Sequence, residues 1–168
     1  MTSTIIVAAL LAIVLAVAGG ALTEIGPWYR SLRKPSLQPP DWLFGPAWTV
    51  ILSLTAAAGV LAWRGAHGPV QHTQVAIYFA VNWIFHLLWS PLFFKLKRPD
   101  WALIENSFLW VSVLVMFLGL REFSHLASWF IVPYLVWVSF AWWLNWTIVR
   151  LNAPFATSRW LGTSLRSN

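Results

Sequence analysis

The chain has no cysteine among its 168 residues, which excludes disulfides, thiol nucleophiles and cysteine-ligated metal or iron–sulfur sites. Charge is scarce too. Only 10% of residues are charged and five are acidic, against 59% apolar, whereas a soluble domain carries about a quarter charged and about half apolar residues. No pair of His, Asp or Glu has metal-site spacing with a third ligand in reach. Glycine-rich phosphate loops and a strand–turn–helix nucleophile elbow are also missing. No internal repeat is visible, so an inverted-repeat transporter is not suggested. The sequence therefore supports neither ordinary hydrolase nor nucleotide chemistry.

What is present is apolar length and tryptophan. Five runs, about Thr4–Leu22, Pro46–Trp63, Thr73–Leu96, Trp101–Leu120 and Leu126–Leu151, approach or exceed the ~20 residues that cross a hydrocarbon core. No soluble domain fits in the remainder. The predicted fold class is an all-α integral membrane protein, a bundle of five transmembrane helices spanning residues 1–152, followed by a short frayed tail over 153–168. Met1–Thr4 has no Lys or Arg, so the first run reads as a span rather than a cleavable signal peptide.

The net charge of +6 is a topology signal. Arg30, Arg33 and Lys34 lie in the first break, Lys95, Lys97 and Arg98 in the third, and Arg150, Arg159 and Arg166 in the tail. Nine basic residues thus share one membrane face, and only Arg64 and Arg121 lie on the other. By the positive-inside rule the N-terminus is expected outside and the C-terminus in the cytoplasm. Nucleic acid is not needed to explain the basicity.

Of the fourteen tryptophans, Trp48, Trp83, Trp89, Trp110, Trp137, Trp142 and Trp143 lie well inside apolar runs, where a headgroup belt alone would not put them. On the third run Asn82, His86, Trp89 and Phe93 share one helical face. On the fifth, Tyr134, Trp137, Ala141 and Asn145 form a similar stripe, and on the second so do Trp48, Leu52, Thr55 and Gly59. Polar groups at mid-membrane depth are costly against lipid, so these faces should look inward. They either line an amphipathic pocket or hold neighbouring helices together. His86 could ligate a haem iron, though a hydrogen-bonded structural role is the commoner fate of such a residue. Glu105 is expected to pair with basic loop groups or, less simply, to bond a polar ligand.

The first break, Glu24 to Gly45, carries Pro35, Pro39 and Pro40, which forbid a continuous helix and favour an extended or turned path. Trp28, Tyr29, Trp42 and Phe44 still give it apolar surface to bury. A long, stiff, aromatic connection reads as a lid on the bundle, with an interfacial anchor as the alternative.

Three motifs, in order along the chain, resemble the TspO/MBR family of tryptophan-rich sensory proteins. The first runs from Trp28-Tyr29 through Lys34-Pro35-Ser36, Pro39-Pro40 and Trp42 to Phe44-Gly45-Pro46 and Trp48-Thr49. The second is Leu88-Trp89-Ser90-Pro91-Leu92-Phe93-Phe94, and the third runs from Pro133-Tyr134 to Leu144-Asn145, ending near Arg150-Leu151-Asn152. The resemblance implies a five-helix bundle, usually a homodimer in a membrane, that binds tetrapyrroles, sterols and synthetic aromatic ligands beneath the first loop. It needs no cofactor; porphyrin or haem is the expected ligand. Carried over by position, Trp48, Trp137, Ala141 and Trp101 match pocket residues. On physical fit, Arg33, Lys34 and Trp42 are the candidate lid contacts, with the basic loop groups placed to meet propionates. The resemblance also implies an alternative enzymatic role, light- and oxygen-dependent porphyrin degradation at Trp48 and Trp137, and another as a transporter. The residue pattern looks bacterial, which places the protein in a plasma membrane. Three departures alter the pocket's hydrogen bonding: His86 and Asn82 stand where the family usually has Asn and Gln, and Leu52 where Tyr is common. Leu144, Trp146 and Arg150 supply Trp where the family's sterol motif needs Tyr, which weighs against sterol.

Overall fold

A computed structural model describes residues 2–155; the tail expected to fray, with Arg159 and Arg166, lies beyond them from residue 156. The helices are α1 (Thr2–Leu22), α2 (Pro27–Ser31), α3 (Asp41–Gly65), α4 (Gly68–Ser90, continued by a π-helical turn over Pro91–Lys95), α5 (Pro99–Leu120) and α6 (His125–Asn152). Five of them are long and apolar enough to span a membrane, α4 with its π turn counting as one. The protein is a multi-pass integral membrane protein.

Helices are the natural solution because lipid offers no partners for backbone polar groups, which must bond within the segment. In contact order the bundle is a ring: α1 lies on α3, α3 on α6, α6 on α5, α5 on α4, and α4 closes back on α1. The core sits between α3, α4, α5 and α6, around Ala58, Val113, Met116, Ile131 and Tyr134. Helix α1 takes little part, with Leu15 its only buried side chain. Its more buried side is Thr4, Ala8, Leu11, Ala12, Leu15, Ala18, Gly19 and Leu22, at helical spacing, and the remaining positions of the helix are exposed.

The spans run longer than the apolar runs alone suggest. Helix α3 starts at Asp41, with Pro40 as its N-cap residue and Asp41 favourably placed in the first turn. Pro46 is tolerated inside it because its missing N–H forfeits only the bond to the Trp42 carbonyl. Helix α4 reaches back to Gly68, which adopts a left-handed φ of 76°. Helix α5 begins at Pro99, where a residue without an N–H costs nothing.

At the far end of α4, Pro91 cannot donate to the Leu87 carbonyl and its ring crowds that carbonyl. The helix relieves this by widening, so that Leu96 N–H donates to Pro91 O at 2.9 Å, and Arg98 N–H reaches back to Leu92 O at 3.0 Å. Lys97 stops the helix in a left-handed conformation, φ 54°. The widened turn points both Phe93 and Phe94 into the protein.

One contact sets how closely the helix ends approach. A Cβ added at Gly65 would overlap the Phe123 carbonyl oxygen, which is backbone and cannot rotate away. Gly65→Ala must therefore push the end of α3 off the α5–α6 turn. The expected destabilisation is about 1–3 kcal/mol, read as a lowered unfolding midpoint in detergent, with Gly45→Ala, inside α3 where a Cβ meets open space, as the control whose midpoint does not fall.

Candidate functional site

Helix α3 brings Phe44 and Trp48 to the loop end of the bundle, one turn apart on one face. Helix α4 contributes His86, and α6 contributes Tyr134 and Trp137. These side chains converge. The Trp48 ring packs edge-on against His86 at 4.8 Å, Tyr134 at 5.8 Å and Trp137 at 6.4 Å between centroids. Phe44 meets Trp137 edge-on at 5.7 Å, and Phe140 lies 6.1 Å from it, tilted. Edge-to-face pairs of this kind contribute about 0.5–1.5 kcal/mol each beyond the area they bury.

The polar heart of the cluster is a single hydrogen bond, 3.2 Å between His86 Nδ1 and the Tyr134 hydroxyl. It fixes the imidazole orientation and leaves Nε2 as the nitrogen available to another group. Tyr134 is almost wholly buried, so the bond lies where an unpaired hydroxyl would be costly. Ala141 is one turn beyond Trp137 on the same face of α6, half-buried.

Not every residue of the three sequence stripes joins this cluster. Asn82 is buried and donates from Nδ2 to Ser112 Oγ at 3.0 Å, binding α4 to α5. Asn145 is also buried; its amide donates to Pro99 O at 3.1 Å and accepts from Leu103 N–H at 3.0 Å, binding α6 to the first turn of α5. The second stripe divides. Trp48 turns to the aromatic cluster, while Leu52, Thr55 and Gly59 line a separate cavity against α1 and α4. Trp101 is half-exposed on the outside of α5, under the Arg98 guanidinium at 4.3 Å. Arg98 also forms an ion pair with Asp100, its Nε donating to Oδ1 at 2.8 Å.

Trp89 belongs to a second aromatic group beneath the first loop. It stacks on Phe93 at 5.0 Å and meets Phe94 edge-on at 5.9 Å. Tyr29 of α2 closes this group from above, 5.5 Å from Phe94 and 6.4 Å from Phe93, and Trp28 lies 6.0 Å from Phe93. Tyr29 also accepts a hydrogen bond from Gln38 Nε2 at 2.9 Å and donates to Asp41 Oδ1 at 3.4 Å. The Lys34 ammonium sits 3.6 Å above the Tyr29 ring, an attractive placement over the π face. Arg33 is held by its backbone: its N–H donates to Asn152 Oδ1, and its carbonyl accepts from Asn152 Nδ2, both at 2.8 Å. Trp42 points outward, 70% exposed. The short helix α2, hidden in the sequence among prolines, is thus the element that seats the connection.

Glu105 departs from the simpler expectation. It is buried on α5, and neither carboxylate oxygen has a hydrogen-bond partner among the described residues, so the pairing with basic loop groups is not formed. Trp89 Nε1 and Asn106 Nδ2 are likewise buried and unpartnered. The signal that could have drawn attention to Asn106 is its place directly after the only carboxylate inside an apolar run.

The sequence matches the profile of the TspO/MBR family over residues 6–151. The chain belongs to the TspO/MBR family. Among relatives, the tryptophan-rich protein TspO of Chlorobaculum tepidum is 40% identical over 128 residues, covering 74% of this chain and 79% of that protein. Protein CrtK of Rhodobacter capsulatus is 34% identical over 142 residues, 80% of this chain and 84% of its own. The human translocator protein is 30% identical over 130 residues, 74% and 75% of the two chains. Membership of the TspO/MBR family, together with relatives bearing these names, supports a receptor- or transporter-like role in a membrane.

The Tyr29 contacts carry a pH signature. Burial, reinforced by the negative charge of Asp41, pushes the phenol up from 10.0 to about 12. A phenol harder to ionise in the folded protein stabilises the seated loop fully below pH 10, and that contribution is lost as pH rises through about 12. Ultraviolet difference titration of the protein against Tyr29→Phe should show this phenolate forming near pH 12. Ionisation at the ordinary tyrosine value would mean that the loop leaves Tyr29 in water.

Proposed function

We propose that this protein is a membrane receptor for a flat tetrapyrrole, porphyrin or haem, bound beneath the first loop against Trp48, His86 and Trp137. The observation that carries the reading is the convergence of those three side chains with Tyr134, from three helices, under a connection rich in aromatic and basic residues. Indole faces suit an apolar macrocycle, and the single His86–Tyr134 hydrogen bond leaves one imidazole nitrogen for a polar contact. Arg33 and Lys34 are on the side from which propionates would project, where their charge favours an anionic rim. Trp48 fills the centre of the cluster through edge-on contacts, so a ligand must displace its ring and replace those contacts with stacking. Trp89 and Ala141 extend the same end of the bundle, while Asn82 and Asn145 contribute through helix packing.

Titration of protoporphyrin IX and haem into detergent-purified protein in the dark, followed by tryptophan quenching and the Soret band, tests this reading. Saturable binding is expected, and Trp137→Ala should weaken it at least about tenfold, the loss equivalent to one good aromatic contact. Unchanged affinity in Trp137→Ala would remove the site. A haem Soret shift that His86→Ala abolishes would assign the iron to His86 Nε2.

A second reading is favoured by one specific arrangement: two indoles, Trp48 and Trp137, in edge contact beside a histidine–tyrosine hydrogen bond. Such oxidisable side chains next to a photosensitising porphyrin suit light- and oxygen-dependent breakdown of the ligand. Under illumination in air, the Trp48→Phe/Trp137→Phe double variant should bind porphyrin but form no product. Product formed at the wild-type rate by that variant would leave binding as the whole function.

A further inference from the structure

At the end of the bundle away from the first loop, a cavity of about 570 Å³ opens between α1, α3 and α4. It shares no residue with the aromatic cluster, so its occupant is a separate question. Six of its wall residues are Ala8 and Ala12 of α1, Ala56 and Gly59 of α3, and Ala76 and Ala80 of α4, and their small side chains leave the space between the helices unfilled. No charged side chain lines it. Its only hydroxyls are Ser3, Thr4 and Thr55, and Thr55 already donates to Ile51 O at 2.8 Å. Ser3 and Thr4 stand at the mouth, in the first turn of α1.

The dimensions are specific. The cavity follows α1 from Ser3 to Leu15, which at ~1.5 Å per residue is a slot of about 18 Å along the helix axis. One leaflet of a hydrocarbon core is roughly 15 Å deep, half of ~30 Å. A second hollow of about 310 Å³ shares Trp63, Ala76 and Ala80 with it and adds His72 and Thr73 at the same end. Trp63 forms the partition, held by His72, whose ring lies 4.4 Å away and whose Nε2 is 3.2 Å from the Trp63 carbonyl.

We infer that this slot holds one acyl chain of a phospholipid from the leaflet at the N-terminal end of α1. The walls ask nothing of a ligand but apolar surface, which excludes an anionic macrocycle: no cation would meet its carboxylates. A helix from a second copy is too thick, about 10 Å across with side chains, to enter between α1 and its neighbours. A flexible hydrocarbon chain can follow a slot that runs one leaflet deep between alanines and the larger Phe79 and Trp83. Helix α1, with Leu15 alone buried, gains its missing packing surface from the chain.

The test uses the full chain in phosphatidylcholine nanodiscs containing a phosphatidylcholine with a diazirine in mid-chain, photolysed and mapped by peptide mass spectrometry. Adducts should concentrate on the slot residues of α1, α3 and α4, well above those on Trp129 and Val136, which face lipid openly. Ala12→Phe and, independently, Ala8→Phe should lower the slot adducts about tenfold, the loss expected when two buried methylenes are displaced. Porphyrin binding in both variants should match the parent, which also shows that they fold. Adducts spread evenly over every lipid-facing helix, or unchanged in both variants, would overturn the inference. So would slot adducts displaced by free fatty acid or by a sterol but not by excess phosphatidylcholine, or a slot shielded by disulfide-trappable contact with a second copy through Ala76→Cys.

Discussion

Hiding a leucine gains a membrane helix little, because lipid tails are as apolar as any protein interior. The register of this bundle therefore depends on hydrogen bonds between helices, each placed where it would be costly to leave open. Asn82 binds α4 to α5 through Ser112, His86 binds α4 to α6 through Tyr134, and Asn145 binds α6 to the first turn of α5. Ser128 reaches from α6 to the Phe117 carbonyl of α5. On the lipid-facing side of the same pair, Trp110 Nε1 donates to Ser139 and Trp142 Nε1 to Ser107, at 2.8 and 2.9 Å. Helices α4, α5 and α6 are fixed relative to one another by these bonds, and His86, Tyr134 and Trp137 of the aromatic cluster inherit their placement from them.

The two ends of the molecule are built on different principles. At the loop end the rings of Trp48, Trp137, Phe93 and Tyr29 fill space edge-on, and basic residues gather in the first connection and the π turn. At the opposite end small residues leave space, and the wall chemistry is almost purely apolar. The pinning of the first connection by Asn152, and of Tyr29 by Phe93 and Phe94, closes the loop end more firmly than anything closes the α1 side of the other.

Five spans were legible because apolar length and clustered basic residues act over whole segments, where single-residue accidents average out. Helix α2 was not, since five residues are too few to show a period and the neighbouring prolines argue against a helix. The convergence of Trp48, His86 and Trp137 could be expected from three inward faces. Spacing alone could not tell whether Asn82 and Asn145 would meet a ligand or a neighbouring helix, because that depends on which helix stands opposite and at what height. The division of the Trp48–Gly59 stripe between two environments has the same origin: one face of a 25-residue helix passes different neighbours at its two ends. The isolation of Glu105 depends on what basic groups can reach, and Arg98 is already engaged by Asp100.

The clamp between Arg33 and Asn152 joins positions 119 residues apart, so the chain is closed into a ring by its own first connection. Helix α1 lies outside that closure: it packs on α3 and α4 with Leu15 buried, and past its end a 3.5 Å contact joins Thr23 to Ser90. The hydrogen bonds that tie α4, α5 and α6 together do not involve it, so its seat on α3 and α4 rests on apolar packing rather than on polar pairing.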